Sequence, residues 1–185
     1  MLVSIEGEEK TGKTTLAYTA PLPIVGFSFD LGNERALYGT KFDEYFSGLE
    51  IRKVPYVNGS KSEPMWEGQD ITIYDLPRPI QLDQDRLVGF MELWDYFIKL
   101  FSKAIMDAKV STIVIDTMTL ARRIKCDAYL QELNSNGGKA RKQLLQIEYG
   151  HPNDSIRNLY DLAYGMGKNL VVTHHLTDEY RTMPN

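Results

Sequence analysis

Eight residues near the start of the chain constrain it most. Gly7-Glu8-Glu9-Lys10-Thr11-Gly12-Lys13-Thr14 fits the pattern G-x-x-x-x-G-K-[ST] at every fixed position. Such a pattern works only between a strand and a helix. Leu2-Val3-Ser4-Ile5-Glu6 reads as the strand, and Thr14-Thr15-Leu16-Ala17-Tyr18 as the helix, which Pro21 and Pro23 end. Gly7 and Gly12 let the backbone turn with no side chain in the way, so successive N–H groups point into one concavity. Those groups, with the positive end of the helix starting near Lys13, form a cradle for a polyphosphate. Glu9, Lys10 and Thr11 line the loop, and Lys13 brings a point charge to the outer phosphates. The Thr14 hydroxyl is placed to ligate Mg²⁺, and Thr15 to make a contact near the α-phosphate. The plain alternative is a solvent-exposed glycine turn.

A Mg²⁺ ion in such a cradle needs a carboxylate at the end of a neighbouring strand. Thr112-Ile113-Val114-Ile115 is a continuous β-branched run, which reads as a central strand buried on both faces, and Asp116 stands at its mouth. The competing role for Asp116 is a helix N-cap. Further apolar runs at 24–29, 51–57, 71–74 and 170–173 read as strands. Leu87, Phe90, Met91, Trp94, Phe97, Ile98, Phe101, Ile105 and Ala108 recur at helical spacing, an ordinary core-facing stripe. A helix is expected from about Leu120 to Leu133, a basic helical piece from Lys139 to Glu148, and another helix capped by Asp154. Strands alternating with helices predict an α/β fold, a mostly parallel sheet covered on both faces.

The length of 185 residues suits one domain. With 43% apolar and 25% charged residues, composition excludes disordered, collagen-like and rod-like chains. No apolar run approaches the ~20 residues that cross a bilayer. The chain opens without a basic, apolar leader, and its one cysteine, Cys126, has no disulfide partner, so a cytoplasmic setting is expected. Net charge is −4 but uneven: −6 between Glu63 and Asp95, and +4 between Ala121 and Gln143. Two solvated surfaces explain that as well as an interaction face does.

The strings IEGEEKTGKTTLA, FSFDLGNERALYG and IVIDTMT resemble the RecA-like P-loop NTPases, in particular the phage AAA-type nucleotide-binding proteins of single-strand annealing and recombination. The likeness runs from about Leu2 to His175. It implies a RecA-like core, ATP and Mg²⁺ as ligands, and a setting in a bacterial cell or phage-infected host. It implies a catalytic acid after the second strand that orients the attacking water, a role assigned to Glu34 with Asp30 as the alternative. It implies a γ-phosphate sensor after the last strand, which His174 matches, with His175 one position on. It further implies single-stranded DNA contacts from Lys139, Arg141 and Lys142, and a homo-oligomer. A RecA-like core also continues beyond the sensor strand, so an open side of the sheet is expected here.

Three functions compete: an ATPase, a small-molecule kinase whose lid would use Arg122 and Arg123, and a non-hydrolysing module that uses ATP to set its assembly. A zinc site at His174-His175 lacks a third ligand at suitable spacing.

Overall fold

Six strands, none longer than seven residues, build one parallel sheet. The computed structural model describes residues 1–8, 10–30, 37, 43–81, 87–136 and 141–176. The strands are β1 (Leu2–Gly7), β2 (Ile24–Ser28), β3 (Ile51–Pro55), β4 (Ile71–Asp75), β5 (Thr112–Asp116) and β6 (Asn169–His175). Their order is β1-β6-β5-β2-β4-β3, with every pair parallel. The helices are α1 (Lys13–Ala17), α2 (Asp43–Ser47), α3 (Phe90–Met106), α4 (Met118–Ser135) and α5 (Gly150–Gly165), with a 3-10 turn over Gln146–Tyr149. The expected α/β sheet, flanked by helices, is the observed one. At one end of that order β1 pairs with β6 alone among the described residues.

Every residue of β2 and β5 is buried. Their apolar runs lack a polar alternate because both faces are covered. On one face Phe27, Phe29, Tyr74, Ile115 and Val172 pack against Phe97, Phe101 and Ile105 of α3, Ile124 of α4 and Leu159 of α5. Each such side chain, fully buried, contributes about 1.5–3 kcal/mol. On the other face Ile24, Ile73, Val114 and Val171 meet Ala17, Tyr18, Leu37 and Phe46. The predicted stripe of α3 is largely the buried one, widened by Leu93, Tyr96, Leu100 and Ala104, while Met91 is exposed.

Three sequence expectations change. Residues 141–145 are not helical, and the basic segment forms only the 3-10 turn at its end, while 139–140 lie outside the described residues. Helix α5 starts at Gly150, so Asp154 sits inside it. Pro152 tolerates that earlier start, because a first-turn N–H has no intrahelical partner to lose. Helix α1 stops at Ala17, well before the prolines, and Tyr18 caps its end.

Tyr18 then fills a notch over β2. A Cβ on Gly26 would lie 2.3 Å from the Tyr18 hydroxyl oxygen, so only glycine leaves room for the ring. The hydroxyl is fully buried and has no hydrogen-bond partner among the described residues. Gly26→Ala is therefore expected to destabilise by about 1–3 kcal/mol through overpacking. Tyr18→Phe removes an unsatisfied polar atom and is expected to stabilise by about 1 kcal/mol. Chemical denaturation midpoints report both, and a lowered midpoint for Tyr18→Phe would show that the hydroxyl is satisfied after all.

Candidate functional site

The carboxyl end of the sheet gathers the polar groups. Strand β1 ends at Gly7 and enters a loop that reverses into α1 through Gly12, whose φ of 84° is left-handed. Lys10 adopts φ 63°, unusual for a residue with a Cβ. The Thr11 hydroxyl donates to the Glu8 carbonyl at 2.8 Å and closes the loop. The Lys13 ammonium donates to the carbonyls of Gly7 at 2.8 Å and Glu8 at 2.5 Å, which holds it over the loop.

Two strands away, β5 ends on Asp116, only 2% exposed. Its carboxylate accepts from the Thr14 hydroxyl at 2.9 Å and also from the Thr173 hydroxyl of β6. The helix-capping role open to Asp116 falls to its neighbour: Thr117 caps α4 and accepts from the Leu120 N–H at 3.3 Å. The Asp116 carboxylate thus points into the site. Burial raises its pKa, the two hydroxyl hydrogen bonds oppose that rise, Asp30 adds to it, and His175 counters it. A lysine over a glycine-turned loop, facing a hydroxyl-bound carboxylate on a buried parallel strand, is the donor set of a phosphate cradle. The family model described as AAA domain matches residues 1–185.

The chain belongs to the AAA domain family. No curated protein matches it. An AAA domain is a nucleotide-binding ATPase domain of the P-loop class, and the parallel sheet agrees with that membership.

Other expected site residues of this AAA domain distribute unevenly. Glu9, Glu34 and Lys139 lie outside the described residues. Thr15 is buried in α1. Asp30 follows β2 and faces His175, its Oδ2 being 3.6 Å from Nε2. Side chains alternate along β6. Thr173 points to Asp116, so His175 shares that face and His174 turns to the other one. There His174 sits opposite Glu6 in the strand register, and burial lowers its pKa while Glu6 raises it. The structure therefore brings His175, not His174, together with Asp30 and Asp116. The His175 N–H donates to the Thr119 hydroxyl at 3.2 Å, which ties the strand end to the first turn of α4.

Sequence reasoning gave no role to Thr173 or Ser28. Ser28 stands between Asp75 and Asp116 in register, and its hydroxyl donates to the Asp30 carbonyl at 2.7 Å. The available signal was a polar residue ending each of several apolar runs, all in one row. Of the basic candidates, Arg141 grips Glu148 in two hydrogen bonds, at 3.1 and 2.9 Å, and Lys142 is exposed nearby. Arg122 donates to Asn153 at 3.0 Å and lies over the Tyr149 ring. Cys126 is half-buried, and burial pushes its thiol pKa up, which suits a packing residue. Among the described residues no helix is long and apolar enough to cross a membrane.

The donor set fits Mg²⁺. Thr14 and Asp116 offer hard oxygens within hydrogen-bond reach of each other. Mg²⁺ keeps several waters and takes only one or two protein ligands when phosphates supply the rest.

A pH prediction follows from burial. The folded-state pKa of Asp116 lies above its unfolded value. The native chain therefore loses stability as pH climbs from the ordinary carboxylate range through that raised pKa. Asp116→Asn removes this loss. In the absence of nucleotide, the variant is expected to melt higher than the parent at pH 8, with the gap closing toward pH 3. A variant that melts lower at pH 8 would mean that the charged hydrogen bonds outweigh desolvation.

Proposed function

We propose that this AAA domain, a single unit over residues 1–185, is a magnesium-dependent ATPase with a RecA-like site. The observation that carries the reading is the convergence of Lys13, Thr14 and Asp116 at the carboxyl ends of β1 and β5. The loop residues Gly7, Glu9, Lys10, Thr11 and Gly12 surround the phosphates through their backbone, and Thr15 adds a contact behind Thr14. Lys13 leaves its carbonyl partners for the β- and γ-phosphates. Thr14 and Asp116 hold Mg²⁺, which when bound offsets the charge that develops on the phosphate oxygens.

Hydrolysis then needs an oriented water. Asp30 supplies the carboxylate, and His175 keeps that carboxylate in place at the strand ends. Water attacks the γ-phosphorus, the bond to the β–γ bridging oxygen breaks, and ADP and phosphate leave. Catalysis is positioning plus electrostatics, with no covalent intermediate on the protein.

The finer part of the proposal is a role in phage or bacterial recombination through single-stranded DNA. What supports it is the resemblance of the motifs, and the exposed Lys142 beside Arg141 and Tyr149. Engaging phosphates with Arg141 means releasing Glu148.

Phosphate release from ATP, measured with and without single-stranded DNA, tests the proposal. Lys13→Ala is expected to abolish nucleotide binding or turnover, and unchanged hydrolysis in that variant would sink the assignment. Asp30→Asn is expected to lower kcat by about 10²-fold or more with nucleotide binding retained. Full loss in Glu34→Gln with Asp30→Asn unaffected moves the role to Glu34. Turnover that rises with DNA supports the recombination role, while no stimulation and no DNA binding removes it and leaves the ATPase.

A further inference from the structure

Strand β6 runs further than the strand at its side. The β5–β6 pairing ends at Ile115 and Val172, while β6 stays paired with β1 as far as His175, opposite Gly7. In a parallel ladder a residue's N–H and C=O point to the same side, and successive residues alternate. The Asn169 N–H donates to the Ser111 carbonyl at the start of β5, and the Leu170 N–H to the Met1 carbonyl on the other side. The pattern repeats every two residues, so the His175 N–H faces the β5 side and the Thr117 carbonyl is its due acceptor. That carbonyl is already turned into α4, where it accepts from the Ala121 N–H at 3.0 Å. The Thr119 hydroxyl stands in for it, accepting from the His175 N–H at 3.2 Å. A side chain thus continues the ladder where the backbone has left it.

What this extra rung holds is the His175 side chain. It stands on the face of Asp116 and meets Asp30, with Nε2 and Oδ2 3.6 Å apart. Asp30 lies beyond β2 with its carboxylate half-exposed, and His175 is the side chain that this carboxylate pairs with among the described residues. The Ser28 hydroxyl fixes only the Asp30 carbonyl. Strand ends with few bonds fray at low cost. A misplacement of about 1 Å, set by a residue away from the chemistry, can lower a rate about 10²-fold. We propose that Thr119 is a positioning residue for hydrolysis. Its hydroxyl keeps His175, and through it the Asp30 carboxylate, where that carboxylate orients water. The inference rests on the role proposed above for Asp30. In it Thr119 acts through Asp30 and touches no substrate, whereas Thr117, two residues earlier, caps α4.

Thr119→Val keeps the shape of the side chain and removes the acceptor. It is expected to lower kcat for ATP hydrolysis about tenfold, the worth of one hydrogen bond, with KM unchanged. It is also expected to speed amide hydrogen exchange at His175, and Thr119→Ser is expected to restore both. In an Asp30→Asn background Thr119→Val is expected to add no further loss, because residues that act through one another are not additive. Unchanged kcat in Thr119→Val, an equal loss in Thr119→Ser, or losses that multiply in the double variant each overturn the proposal. So does unchanged exchange at His175, a measurement that needs no turnover. If Asp30→Asn leaves hydrolysis intact, the reading of Asp30 fails and this inference with it. If Asp30→Asn is impaired and Thr119→Val is not, this inference fails alone.

Discussion

One buried carboxylate holds together pieces of chain that are far apart in sequence. Asp116 binds the Thr14 hydroxyl, 102 residues earlier, and the Thr173 hydroxyl, 57 residues later. Through these bonds the first helix turn, β5 and β6 meet at one point. The cost is desolvation, visible in the raised pKa. Such a group is retained where its charge is needed, since apolar residues of similar volume would pack with less penalty. Its backbone takes part as well: the Asp116 carbonyl accepts from the Phe29 N–H at 2.6 Å, which sets where Asp30 leaves β2. The position of Asp30, proposed to orient the water, thus depends on the same residue as the position of Thr14, the proposed metal ligand.

The legible part of this architecture is the part written in short, local patterns. Strands β2 and β5 announce themselves because burial on both faces leaves no polar alternate, and the loop at Gly7–Thr14 carries its chemistry in consecutive residues. What stays hidden depends on which way a side chain faces once strands are registered. The adjacent histidines 174 and 175 look equivalent in sequence. Only the pairing of Thr173 with Asp116 decides that His175 shares the site face and His174 does not. The same holds for Asp116 against Thr117: both suit a helix cap, and the choice rests on the tertiary bond to Thr14.

Gly26 is a second case of meaning supplied by a distant partner. In sequence it is only a gap in the apolar run of β2, with no side chain to pack. In the fold it is the floor of the notch that receives the ring of Tyr18. A five-residue helix such as α1 has little stability of its own, because nucleation is costly and tertiary packing must supply the rest. Tyr18 anchors the end of α1 and the Thr14–Asp116 bond anchors its start, so the loop is held from both sides.

The remaining weak point is β1 itself. Among the described residues it pairs with β6 alone, while the groups it delivers must hold their places against the pull of a polyphosphate. Exposed edge strands fray at low free-energy cost, since few buried contacts oppose their opening. Fraying at β1 would move Gly7 relative to His175, its register partner, and so change the spacing between the loop and the face that carries Asp30 and Asp116. In this domain the hold of β6 on β1 therefore bears on the chemistry as well as on stability.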